Sequence, residues 1–63
     1  MYTGLIYGWS FYNGRIWGRM EEHTTRPDLN GKQCHTSEVS SIAVVKGYRT
    51  ALTRSGSTYK LVD

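Results

Sequence analysis

The stretch Leu5-Ile6-Tyr7-Gly8-Trp9-Ser10-Phe11-Tyr12-Asn13-Gly14-Arg15-Ile16-Trp17-Gly18-Arg19-Met20-Glu21 decides the fold. Asn and Gly tolerate the positive φ angles of a two-residue hairpin turn, and Asn13-Gly14 is flanked on both sides by aromatic and branched residues that favour strands. A turn at 13–14 sets the register. Tyr12 faces Arg15, Phe11 faces Ile16, Ser10 faces Trp17, Trp9 faces Gly18, Gly8 faces Arg19 and Tyr7 faces Met20. Opposed residues share a face. Leu5, Tyr7, Trp9, Phe11, Ile16 and Met20 therefore make an apolar face, and Ile6, Ser10, Tyr12, Arg15, Trp17 and Arg19 a mixed one. A register chosen from the turn alone gathers the apolar residues, and that agreement supports the hairpin. Gly8 marks a bend, and Gly18 leaves room for the Trp9 indole.

Beyond this hairpin the pattern breaks. Residues 22–37 are polar and carry the turn formers Pro27-Asp28 and Asn30-Gly31, which reads as one long loop. A short ribbon around Asn30-Gly31 and a helical turn capped by Thr36 or Ser37 are options within it. Strands resume at Ser41–Val45, turn at Lys46-Gly47, run from Tyr48 to Thr53, turn at Ser55-Gly56 and finish over Ser57–Val62. Two-residue turns at both places put Ala43, Val45, Tyr48, Thr50, Leu52, Tyr59 and Leu61 on one face. The expected architecture is all-β: one domain over residues 1–63, a small five-stranded SH3-like or OB-like barrel made of an N-terminal hairpin and a C-terminal three-strand meander.

Size and composition narrow the function classes. A chain of 63 residues holds one small domain and cannot build a parallel α/β enzyme with crossover helices. Eight basic against five acidic residues give a net charge of +3, which permits an acidic partner and also serves plain solubility. The single cysteine, Cys34, excludes an internal disulfide, whereas secreted domains of this size usually carry several. The N-terminal residues lack a basic and apolar leader, and no apolar run reaches the ~18 residues of a membrane span. The reading is a cytoplasmic chain with no membrane contact and no cofactor.

Two groups of residues could carry chemistry. Tyr12, Arg15, Trp17 and Arg19 share the mixed face of the hairpin, and rings beside guanidinium groups suit either a protein hot spot or a platform for stacked bases. Cys34-His35 with His23 holds metal-ligand types, but adjacent Cys-His is not a finger spacing and no second cysteine exists, so no metal site is assigned. Nucleophilic catalysis by Cys34 would need a base beside it, and His35 alternates to the other side of an extended chain. No catalytic residue is assigned.

The segment Thr53-Arg54-Ser55-Gly56-Ser57-Thr58-Tyr59-Lys60-Leu61, preceded by Thr36-Ser37-Glu38-Val39, resembles the tail of short phage- or prophage-encoded proteins over about 25 residues. The resemblance implies no particular activity. It implies a partner class, because such proteins often act by covering a host protein's surface. The expected function is a non-catalytic protein-binding module working by steric occlusion, as a phage-encoded inhibitor of a host defence or nucleic-acid enzyme. Its anchor is Tyr12, Arg15, Trp17 and Arg19, with Arg26 and Lys32 of the 22–37 loop as a second contact. The alternatives are a small nucleic-acid-binding barrel using the same face, and a homo-oligomer whose strand edges pair between chains through Ile42-Ala43-Val44-Val45.

Overall fold

A computed structural model describes residues 2–62. Six strands form one mixed sheet: β1 (Gly4–Tyr12), β2 (Arg15–Glu21), β3 (Gln33–His35), β4 (Val39–Val45), β5 (Tyr48–Thr53) and β6 (Thr58–Val62), in the spatial order β3-β2-β1-β6-β5-β4. A single 3₁₀ turn, Pro27–Leu29, interrupts the connection between β2 and β3. The all-β class, the N-terminal hairpin and the three-strand meander stand. The strand count is six rather than five, because Gln33–His35 of the expected loop pairs with β2. The strands lie in one sheet with two edges rather than in two layers.

The unforeseen join is between β1 and β6, which run parallel with Ile6 beside Leu61 and Tyr7 beside Val62. It fuses hairpin and meander. The two edges also approach each other at one end. Thr36 N–H donates to the Ile16 carbonyl, Val39 N–H to the Gly14 carbonyl, and Arg54 N–H to the Glu38 carbonyl. The extended segment 36–39 thus passes from β2 to β5 and curls the sheet around its core. No helical turn forms there: Thr36 is buried, its hydroxyl accepting from Ile16 N–H at 3.1 Å and donating to the Ser37 carbonyl at 2.7 Å.

Register explains the core. Near the first turn the pairs are as expected, Tyr12 with Arg15, Phe11 with Ile16 and Ser10 with Trp17. A bulge then intervenes, and Tyr7 pairs with Arg19 and Ile6 with Met20. Gly8 supplies it with a φ of 58°, a backbone state that glycine adopts freely. One extra residue reverses the faces beyond it. Ile6 turns inward at 1% exposure, while Leu5 and Tyr7, expected in the core, join the outer face. Gly18 makes room for β1 itself rather than for an indole. A Cβ there would lie 2.6 Å from a methyl of Ile6 and 2.8 Å from the Tyr7 carbonyl oxygen.

A second one-residue shift occurs at the other end. The turn at Lys46-Gly47 forms as expected, with φ of 51° and 82°, and pairs Val45 with Tyr48 and Ala43 with Thr50. The next loop has three residues, Arg54–Gly56, closed by Gly56 N–H to the Thr53 carbonyl and Thr53 N–H to the Ser57 carbonyl. Ala51 therefore pairs with Tyr59, and Leu52 with Thr58. Ala51 and Thr53 are buried with Tyr59 and Leu61, whereas Ala43, Val45, Tyr48 and Leu52, expected to share a face with Tyr59 and Leu61, are exposed. The core is Ile6, Ile16, Met20, Ala51, Tyr59 and Leu61, with Trp9, Leu29, Cys34 and Val39 packed on its rim. Each large aliphatic side chain removed from water contributes about 1.5–3 kcal/mol.

Candidate functional site

The strands that bury Ile16, Gly18 and Met20 on one side must present Arg15, Trp17, Arg19 and Glu21 on the other. Across the β1–β2 ladder stand Tyr12, Ser10 and Tyr7, and across β2–β3 stand His35 and Gln33. The four anchor residues expected from sequence share this outer face. Two neighbours were not anticipated: Tyr7, which the Gly8 bulge turns outward, and His35, which the pairing of β3 with β2 places opposite Trp17. A glycine inside an otherwise regular strand was the signal for the first; the second had none in the local pattern.

The side chains hold one another in place. Trp17 is half-buried; its Nε1–H donates to the Tyr12 carbonyl at 3.1 Å, and its ring lies 4.5 Å from that of His35 at an angle of 47°. His35 Nδ1–H donates to the Thr36 carbonyl at 2.9 Å, and Arg15 Nη1 donates to the same oxygen at 3.0 Å. Arg19 sits with its guanidinium carbon 4.9 Å from the Tyr7 ring centre while Nε reaches Glu21 Oε2 at 3.0 Å. Tyr12 is the outlier, 70% exposed at the tip of the hairpin. The result is a row of rings and guanidinium groups along one hairpin, ordered before any ligand arrives.

Arg26 and Lys32 lie at the other end of β2, where Met20 N–H donates to the Lys32 carbonyl. Both are exposed, but Arg26 is clasped by Asp28 through two hydrogen bonds of 3.1 and 3.0 Å, which hold the Asp28 carboxyl below its ordinary range. This loop is fastened from within. Buried His23 accepts Arg26 N–H on Nδ1 at 3.0 Å, so its proton resides on Nε2, 3.0 Å from the Tyr59 hydroxyl. Burial, and then the positive charge of Arg26, lower the His23 pKa from 6.5.

The Cys34-His35 pair diverges as alternation requires, Cys34 against the core rim and His35 over Trp17. Among the described residues no three His, Cys, Asp or Glu side chains gather closely enough to hold a metal ion. Two open grooves flank the β4–β5 hairpin, one of about 400 Å³ between Val44, Arg49 and Leu61, the other of about 410 Å³ between Tyr2, Val45 and Thr58. Neither is lined by a cysteine or histidine. Among the described residues no helix is long and apolar enough to cross a membrane. No protein family, curated protein or solved structure matches this chain.

Proposed function

We propose that this chain is a non-catalytic protein-binding module that works by covering a partner's surface with the outer face of its β1–β2 hairpin. The carrying observation is the preorganised set of Tyr7, Trp17, Arg15 and Arg19 beside the exposed Tyr12, residue types that dominate interface energies when buried by a partner. Order before binding lowers the entropy cost of association.

The same row favours protein over nucleic acid. Phosphate binding calls for cations without competing anions, yet Arg19 is paired with Glu21 and Arg15 with a carbonyl. Glu21 also brings a negative charge to the face. The likeness of the C-terminal hairpin to short phage proteins makes a bacterial host protein, such as a defence or nucleic-acid enzyme, the partner class, and a cytoplasmic setting follows from that reading.

Trp17→Ala tests the anchor. Immobilised wild-type chain, incubated with nuclease-treated bacterial extract, is expected to retain a partner that the variant loses by about 30-fold, as a hot spot of ~2 kcal/mol requires. Circular dichroism is expected to be the same for both chains. Equal retention rejects the anchor. Oligonucleotide binding that weakens steeply with salt would shift the reading to nucleic acid.

A further inference from the structure

The two edges of the sheet are built differently. β3 is three residues long, and shortness is one way proteins blunt an edge. β4 has seven residues, Val39-Ser40-Ser41-Ile42-Ala43-Val44-Val45, with no charge and no proline, and among the described residues it has a strand neighbour on one side only. Ile42 is 42%, Val44 69% and Val45 46% exposed. At the start of β4 the Gly14 carbonyl already takes the Val39 amide. A bulge at Ser40 follows. The open edge is therefore the stretch from Ser41 to Val45.

Ladder geometry says which main-chain groups are open there. Residues flanking a two-residue hairpin turn exchange both hydrogen bonds, so Val45 pairs fully with Tyr48, and alternation turns the N–H and C=O of Ile42 and Val44 away from β5. Two residues at a spacing of two, on either side of Ala43, form a self-complementary set. We infer that β4 pairs antiparallel with β4 of a second copy of this chain about a two-fold axis at Ala43. Ile42 then bonds the partner's Val44 and Val44 the partner's Ile42, with four main-chain hydrogen bonds.

Side chains agree with that register. Ile42 and the partner's Val44 meet as branched cross-strand neighbours. Ala43 meets the partner's Ala43 in a non-hydrogen-bonded pair, where Cα atoms come within about 4.5 Å and two methyl groups fit without a clash. Lys46 falls opposite the partner's Ser40 rather than another cation. Each copy carries a net charge of +3, and β4 is an uncharged strand along which two such copies can meet. A foreign strand would find the same main-chain groups but not this two-fold match. The β4 edge is separate from the β1–β2 outer face, so the two proposals stand or fall independently.

Ala43→Cys tests the register. Under mild oxidation the variant is expected to form a covalent dimer of about 14 kDa, twice 7.2 kDa, while wild type, with Cys34 alone, and Val45→Cys do not. Val44→Lys alters an exposed side chain, leaves the monomer folded, and is expected to weaken association at least tenfold in sedimentation equilibrium. A mass of 7.2 kDa at millimolar wild-type concentration overturns the inference. So does a dimer that survives Val44→Lys, or one that links through position 45 instead of 43.

Discussion

At Asn13-Gly14 and at Lys46-Gly47 the chain makes the same two-residue reversal, with both central residues at positive φ, and each reversal continues into two long strands. The first hairpin lies inside the sheet, with β3 on one flank and β6 on the other, and it buries Ile6, Ile16 and Met20. The second ends at an edge and leaves Ile42, Val44, Val45 and Tyr48 in water. Turn chemistry forms a hairpin, but neighbours decide what it buries. Apolar residues on an outer strand mark a surface as readily as a core.

The largest expected contrast comes from truncation. Ile16→Ala should cost about 2–5 kcal/mol by leaving a cavity. Val44→Ala should stay within about 0.5 kcal/mol, because the methyls removed already face solvent. Chemical denaturation of both variants measures this, and equal losses would erase the distinction between the hairpins. Glycines sharpen it next. At Gly18 an added Cβ meets the Tyr7 carbonyl oxygen at 2.8 Å, so Gly18→Ala should cost about 2–3 kcal/mol. At Gly47 an added Cβ meets nothing within 4 Å among the described residues and only the φ of 82° resists, so Gly47→Ala should cost about 1–2 kcal/mol in the same assay.

Acidification should loosen the first hairpin rather than the second, because the loop leaving β2 is held by His23. Its folded pKa is lowered from 6.5, so the fold prefers the neutral ring. The contribution is complete above about pH 6.5 and declines as pH falls through that value and the lower folded one. Thermal melts from pH 7.5 to 5 should show this slope in wild type. They should lack it in His23→Gln, whose amide can accept from Arg26 and donate to Tyr59. A smaller effect of opposite sign belongs to the meander, where the Thr50 hydroxyl is buried without a hydrogen-bond partner among the described residues. Thr50→Val should raise stability by about 1 kcal/mol.

Both turns were legible in the sequence because positive φ is a local demand that Asn-Gly and Lys-Gly meet with their own residues. The bulge at Gly8 was half legible. Glycine announced a bend, but regular pairing past it looked equally good, since Tyr7 and Ile6 are both apolar enough for a core. Ser55-Gly56 fits a two-residue turn and the three-residue loop 54–56 alike, and that one residue exchanged Leu52 for Ala51 inside. The outer face was readable at Tyr12, Arg15, Trp17 and Arg19 because the register from the turn holds as far as the bulge on β1 and throughout β2. His35 and the Thr36 carbonyl reach that face through pairing between segments about 20 residues apart, which no local pattern encodes.

The parallel seam between the first strand and the last sets a timetable for biosynthesis. β1 leaves the ribosome well before β6, and the flank it offers stays unmatched until Tyr59–Val62 has been translated and has cleared the exit tunnel. Main-chain pairing across some 55 positions is a long loop to close, so the nascent chain can hold little more than its local hairpins until β6 has emerged.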